Sequence, residues 1–157
     1  MLNEDPKVKL RNLIVDNWVP ANVYDVTPKV HTGWYNEAWQ AEPQITITGG
    51  STLIAGGQST GVTAFGGDGR LVRRYVTYLT AGIWAHHEMG LSVNPKEWVY
   101  KATSELRSII EANTFSDPDL DFIAWTGFED NTEIRIKPVL FRVDNDVRLV
   151  YRGTFVV

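Results

Sequence analysis

The sequence predicts an α+β fold in which a mostly antiparallel sheet carries two main helices on one face. Three observations support this class. Two amphipathic segments begin with helix-capping residues, several segments alternate apolar and polar residues, and the apolar stretch at 70–85 is long enough to be a central strand. The expected order of helix, two or three strands, helix and three strands is typical of helices packed on one face of an antiparallel sheet. The 157 residues fit a single domain that covers 1–157.

Both predicted helices have a clear beginning. Asp5 precedes a proline, and this pair favours a helix start because the Asp side chain accepts hydrogen bonds from free N–H groups while Pro is tolerated in the first turn. Asn94 precedes a proline in the same way. The first helix is expected to end before Pro20, and the second near Asn113.

The first strands are predicted from composition and alternation. Residues 22–34 are rich in β-branched and aromatic side chains but contain Pro28, which suits an edge strand or an irregular extended segment. Residues 44–48 alternate apolar and hydroxyl side chains, as in a half-buried strand. Residues 70–85 place large apolar side chains on both faces, so this strand is expected to lie centrally with both faces largely covered.

Three strands are predicted after the second helix. They cover residues 121–128, 134–143 and 147–157. The last two are expected to form a hairpin, because Asp144, Asn145 and Asp146 between them have the composition of a tight turn.

Residues 49–69 form the most unusual segment. They hold eight of the thirteen glycines, and no charged residue occurs between 43 and 67. We predict a long Gly-rich hairpin loop here, with short strands at 52–55 and 62–65 and with Gly56 and Gly57 near its tip. Loops this long are uncommon in compact domains and are often functional or disordered.

Composition excludes several classes of function. The net charge of −4 provides no overall attraction to polyanions such as nucleic acids. The absence of cysteine excludes disulfides, thiolate metal sites and cysteine nucleophiles. The N-terminal residues lack the pattern of a secretory signal, and no apolar run reaches the length of about 20 residues that a membrane-spanning helix needs. A soluble intracellular protein is expected.

His86, His87 and Glu88 are the best candidates for a metal site, because imidazole and carboxylate groups are common ligands. Adjacent side chains on a strand point to opposite faces, however, and His31 is the only other histidine. Solvated connector residues are therefore favoured, and a small metal-dependent enzyme remains the alternative that these residues support.

Asp117, Asp119 and Asp121 alternate like the start of a calcium loop. Such a loop needs Gly at its sixth position and Glu at its twelfth, where this sequence has Phe122 and Phe128. A turn between helix and strand explains the aspartates better.

The segment 66–70 has the glycines of a phosphate-binding loop, but a strand and not a helix is predicted after it. No serine lies in a nucleophile elbow. We therefore predict no catalytic, cofactor-binding or metal-binding residue and no cofactor.

Charge is distributed unevenly along the second half of the chain. Seven acidic residues and no basic residue lie between Arg107 and Arg135, whereas basic residues dominate after Ile134. Solvated surface is one interpretation. Complementary contact between identical subunits, as a closed ring requires, is the other.

The strand at 70–85, the helix at 96–112 and the closing segment 147–152 together resemble the tail terminator, or tail completion, proteins of long-tailed bacterial and archaeal viruses. In that family a strand with a similar apolar-Trp end leads through a short connector into a helix with a Leu/Ile stripe. The resemblance covers about two thirds of the chain. The segments 34–40 and 49–69 depart from the usual small version, which leaves another neck or head-completion protein as an alternative.

The resemblance implies a virion structural protein at the head–tail junction, assembled in the host cytoplasm, and not an enzyme. It implies a hexameric ring that ends the tail tube and contacts the tail tube protein and the head-completion or connector protein, with no role for a membrane. DNA would pass through the lumen without sequence-specific binding. The Gly-rich segment 49–69 would then be a docking arm. Arg70, Arg73 and Arg74 would face either this DNA or a neighbouring subunit.

Overall fold

A computed structural model describes residues 2–54, 62–65, 70–135 and 138–156. The helices are α1 (Pro6–Asn17) and α2 (Pro95–Ala112). The strands are β1 (Lys29–Thr32), β2 (Gln44–Ile54), β3 (Val62–Phe65), β4 (Arg70–Ala85), β5 (Phe122–Asp130) and β6 (Phe141–Val156). The predicted α+β class is confirmed.

The two helices begin where the capping residues predict. The Asp5 carboxylate accepts a hydrogen bond from the backbone N–H of Lys7 at 2.9 Å, and the Asn94 side chain accepts one from the N–H of Lys96 at 2.9 Å. Each cap satisfies a donor that the first helical turn would otherwise leave without a partner. The helix starts therefore follow from local sequence alone.

Five strands lie side by side in the order β1, β2, β4, β6, β5, and β3 pairs with one end of β4. Among the described strands, β1 and β2 form the one parallel pair. The ladder between β4 and β6 is continuous from Arg70 opposite Val156 to Ala85 opposite Phe141. The long strand is thus central, as predicted, because β2 and β3 pair with one side of it and β6 with the other.

Both helices pack against one face of the sheet, where they cover alternate side chains of the central strands. Trp98 of α2 is fully buried, as are Leu10 and Ile14 of α1. They meet a layer of buried sheet residues: Ile45, Ile47, Leu79, Ile83, Ile123, Val143, Val147 and Leu149. Burial of this apolar surface is the main force that holds helices and sheet together.

The predicted C-terminal hairpin is wrong. Asp144, Asn145 and Asp146 lie in the middle of β6 and pair with β4, and the hairpin partner of β6 is β5. The side chain of Asn145 is fully buried, donates to the backbone oxygen of Ala81 at 3.2 Å and accepts from Trp125 Nε1 at 2.9 Å. Residues typical of turns are tolerated here because the buried amide finds partners on both neighbouring strands.

The predicted strand pairing across Gly56 and Gly57 is also wrong. Strand β2 runs on to Ile54 beside β4, with an irregularity between Gly49 and Thr52. Strand β3 pairs with β4 as well, at residues 71–73. The two segments therefore follow one another along the same side of β4, while Gly56 and Gly57 lie outside the described residues.

At one end the sheet continues past its outer strands. Pairing of β2 ends where Ile54 lies opposite Tyr75, and pairing of β5 ends where Phe122 lies opposite Val150. Beyond these points β3 and the residues 70–74 and 152–156 form a three-stranded distal extension. Five residues of antiparallel strand span about 17 Å, so this extension is a substantial projection.

The buried position of Asn145 can be tested by substitution. We expect Asn145→Ala to lower the free energy of unfolding by about 1–3 kcal/mol, because the Trp125 N–H and the Ala81 carbonyl lose a buried partner. Asp146→Ala, at the exposed neighbouring position, should change it by less than about 0.5 kcal/mol. Urea unfolding measures both. Equally small changes in the free energy of unfolding for both variants would contradict the burial of Asn145 and would favour a tight turn at residues 144–146.

Candidate functional site

The face of the sheet opposite the helices is the candidate functional surface, and we call it the open face. Along β4 it carries Val76, Tyr78, Thr80 and Trp84, which alternate with the helix-covered residues. Tyr78 is 46 % exposed, whereas Trp84 is 3 % exposed. The expectation that both faces of β4 are largely covered therefore holds only at the Trp84 end.

Apolar side chains cross the open face at the end that adjoins the distal extension. Leu53, Val76, Val150 and Phe122 lie opposite one another in register across β2, β4, β6 and β5. We call these four residues the apolar row. Leu53 is 55 % exposed. Val76, Val150 and Phe122 are half-buried. Contiguous apolar surface of this kind often marks a contact site.

Two aromatic side chains extend the apolar row. Tyr78 is the next residue of β4 after Val76 whose side chain lies on the open face. Phe115 follows α2, is 79 % exposed and holds its ring 5.6 Å from that of Phe122. The guanidinium of Arg148 covers Phe122 from 5.2 Å.

The basic residues of β4 and β6 pair with the acidic segment within the same chain. Asp121 forms ion pairs with two arginines. Arg74 Nε lies 3.2 Å from its Oδ2, and Arg152 Nε lies 3.2 Å from its Oδ1. The opposite charges that one interpretation placed at a contact between identical subunits are therefore partly paired within the chain. Arg74 faces Asp121, while the side chains of Arg70 and Arg73 lie outside the described part of the structure.

At the other end of the open face, residues 33–42 fold over the sheet. Gln44 is fully buried and holds this segment. Its Nε2 donates to the backbone oxygen of Asn36 at 2.7 Å, and its Oε1 accepts from the Asn36 N–H at 2.9 Å. The Gln44 Oε1 also lies 2.9 Å from His31 Nε2. One side chain thus fixes the backbone that carries the neighbouring aromatic residues.

Trp34 and Tyr35 pack against Trp84 from this segment. Their ring centroids lie 5.2 Å and 5.1 Å from the Trp84 ring. Trp84 Nε1 donates to Thr46 Oγ1 at 2.8 Å. A methyl group at Gly82 would lie 2.8 Å from that hydroxyl and 2.9 Å from the indole nitrogen, so any larger residue at position 82 would displace this hydrogen-bonded pair.

Arg142 completes the cluster. Its guanidinium carbon lies 4.5 Å from the ring centroids of both Trp34 and Trp84. Its Nε and Nη2 donate to the Asp144 carboxylate at 2.9 Å and 2.7 Å. Asp144 also accepts from Asn131 Nδ2 at 2.7 Å. The guanidinium is thus oriented by a bidentate ion pair, and its charge is balanced within the chain.

These side chains border a solvent-open cleft of about 450 Å³. Its lining residues are Trp34, Tyr35, Glu37, Gln40, Trp84, His86, Glu133, Pro138, Leu140 and Arg142. We call it the aromatic cleft. Sequence reasoning missed this site, although the pair of adjacent aromatic residues at 34 and 35 in a segment rich in polar residues was a usable signal.

The three metal candidates do not converge on one point. His86 Nδ1 accepts from the Glu88 N–H at 3.1 Å, so Nε2 carries the proton that is donated to the Gln40 oxygen at 2.7 Å. His87 stacks edge-on against Phe141, with ring centroids 5.7 Å apart. Among the described residues, no three His, Asp or Glu side chains are placed to hold a metal ion together.

Two of the three aspartates of the calcium-like pattern bind a lysine. The ammonium of Lys9 lies 2.9 Å from Asp117 and 3.1 Å from Asp119, and thereby ties α1 to the loop before β5. The Asp117 side chain also caps its own turn by accepting from the Asp119 N–H at 2.9 Å. The prediction of a turn between helix and strand is confirmed. The glycines at 66, 67 and 69 lie outside the described residues.

No protein-family model and no curated protein matches this sequence. Neither of the two α-helices in the described part of the chain is long and apolar enough to cross a membrane. The geometry of the open face is therefore the basis for assigning a function.

Gln44 is expected to hold the segment 33–42 in place. Gln44→Ala removes three hydrogen bonds. Since each neutral bond contributes about 0.5–1.5 kcal/mol, we expect the free energy of unfolding to fall by about 1.5–4.5 kcal/mol. Gln40→Ala, which changes an exposed side chain of the same segment, should cost less than about 0.5 kcal/mol. Urea unfolding gives both values. Unchanged backbone NMR chemical shifts at Asn36 in the Gln44 variant would contradict the expectation that Gln44 holds this segment in place.

Lys9 should make stability depend on alkaline pH. Burial alone would lower the pKa of Lys9, but its hydrogen bonds and charge interactions with Asp117 and Asp119 outweigh this and raise the pKa above its ordinary 10.5. A raised folded-state pKa stabilises the fold below the ordinary pKa, and this contribution is lost as pH rises through the folded-state value. The stability difference between wild type and Lys9→Met should therefore shrink above pH 10.5.

Chemical unfolding at a series of pH values tests this dependence. Lys101→Met is the control, because Lys101 is exposed on α2 and no ion pair involves it among the described contacts. A stability difference for Lys9→Met that stays constant through this range would exclude the proposed ion pair as its source.

Proposed function

We propose that this protein is a structural subunit of a tailed-virus particle that assembles with copies of itself into a ring at the head–tail junction. In this role it ends the tail tube and joins it to the head connector. The observation that carries the proposal is the apolar row on the open face, next to the distal extension. The apolar row would serve as one contact surface, and the distal extension beside it would serve as the other.

The apolar row is suited to contact with a protein surface. Leu53 of the row is 55 % exposed and Tyr78, which extends the row along β4, is 46 % exposed. Both stand on a sheet whose backbone hydrogen bonds hold them in fixed register. A rigid surface loses little conformational freedom when it binds. Burying such side chains contributes roughly 25 cal/mol per Å² of apolar surface.

The distal extension is suited to reach a neighbour. Its central strand continues directly from the core of the sheet, so it projects without a flexible joint between Tyr75 and Arg74. A contact between the apolar row of one subunit and the extension of the next would be heterologous, since the two surfaces differ. Repeated heterologous contacts close into rings when the rotation between subunits permits.

A second copy of the chain is the occupant that fits best, because row and extension lie on every subunit and adjoin each other. The tail tube protein and the head-completion protein are the further partners that the ring would contact. DNA would pass through the lumen without being read, in keeping with the net charge of −4.

The apolar row can be tested with a pair of matched double variants. Leu53→Lys with Tyr78→Lys should abolish ring formation but leave the subunit folded, because both side chains are exposed. Val15→Lys with Val19→Lys is the control, since these residues are 54 % and 46 % exposed and carry the same charge change on the opposite side of the sheet. Light scattering and negative-stain microscopy report assembly, and circular dichroism reports folding.

Assembly by the control but not by the row variant supports the proposal. If wild type stays monomeric and also fails to bind tail tubes, the assignment is wrong. Rings that bind isolated head connectors but not tail tubes would instead identify another neck protein.

A further inference from the structure

The aromatic cleft lies at the opposite end of the open face from the apolar row and has a different chemistry. Trp34 remains 58 % exposed although it contacts both Trp84 and Arg142, so part of its ring surface is free. Pro138 and Leu140 add apolar surface to the cleft. Such walls suit a ligand that combines an aliphatic part with a polar end.

The charged groups of the cleft favour a cation. Glu37 and Glu133 both line it and are exposed, and among the described lining residues the one cationic side chain is Arg142, whose charge Asp144 balances. Burial, and then the negative charge of Glu37, raise the pKa of Tyr35, so the carboxylate acts on the interior of the cleft. A ligand with a positive charge gains from this potential, and an anion is repelled.

Two aromatic rings of the cleft already contact a cation. The guanidinium of Arg142 lies 4.5 Å from the centroids of Trp34 and Trp84, which is a cation–π contact on each ring. The remaining surface of Trp34, with Glu37 and Glu133 beside it, offers the same kind of environment to a second cation. Here, however, the carboxylates are not yet paired with a cation among the described residues.

We propose that the aromatic cleft binds an arginine or lysine side chain presented by an extended segment of a partner polypeptide. The aliphatic stem would lie along Trp34 and Leu140, and the charged end would lie between Glu37 and Glu133. The cleft is open to solvent, so the partner backbone would remain outside it. Long cationic side chains bury their stems in this way while keeping the charge near polar groups.

Four capped tripeptides with the sequence Gly-X-Gly test the proposal, where X is arginine, lysine, norleucine or glutamate. Titration is followed by the indole N–H signal of Trp34 in two-dimensional NMR, assigned with Trp34→Phe. The arginine and lysine peptides should shift this signal and saturate, with binding that weakens as salt rises. The norleucine and glutamate peptides should leave the signal unchanged.

A double variant separates charge from shape. Glu37→Gln with Glu133→Gln should weaken binding of the arginine peptide about tenfold or more, because both carboxylates are lost while the rings remain. Glu4→Gln with Glu97→Gln is the control, since it makes the same change in net charge at exposed positions away from the cleft. All four substituted residues are exposed, so the variants should fold.

Equal binding of the norleucine and arginine peptides would overturn the proposal, and so would full affinity in the Glu37 and Glu133 variant. The inference does not depend on ring assembly. A protein that never forms rings can still bind the arginine peptide, and loss of peptide binding in the cleft variant should leave assembly through the apolar row intact.

Discussion

The antiparallel ladder between β4 and β6 is the constraint on which the other elements depend. It joins the two longest strands through sixteen consecutive residue pairs. Strands β2 and β3 take their register from β4, and β5 takes its register from β6. Since side chains alternate along a strand, this single register decides which residues face the helices and which stand on the open face.

Buried polar side chains hold that register at specific points. Asn145 connects β6 to the Ala81 carbonyl of β4 and to the Trp125 indole of β5. Gln44 connects β2 to the segment that covers Trp84. A shift by one residue would bury different side chains and leave these amides without partners, at a cost of about 1–3 kcal/mol for each unsatisfied group. They therefore make the register specific, whereas the apolar layer supplies most of the stability.

The two ends of the open face differ in how much of their surface is covered. At one end the segment 33–42 covers Trp84 and, together with the loop before β6, forms a cleft with aromatic walls and acidic groups. At the other end nothing among the described residues covers Leu53 and Tyr78, and the sheet runs on as the distal extension. One surface thus carries a cleft with aromatic and acidic side chains at one end and exposed apolar side chains at the other, separated by the hydroxyl and carboxylate side chains of Thr80 and Asp146.

The sequence by itself determined what depends on neighbours along the chain. The caps at Asp5 and Asn94, the bounds of β4 and the α+β class follow from hydrogen bonds within one turn and from apolar periodicity. Tertiary structure decided the pairing of strands and the aromatic cleft. By its residue type, Asn145 can end a strand or lie in the middle of one. It lies in the middle of β6 because its side-chain amide forms hydrogen bonds with the Ala81 carbonyl and the Trp125 indole. A buried amide is stable only where such partners are present, and strand pairing supplies them.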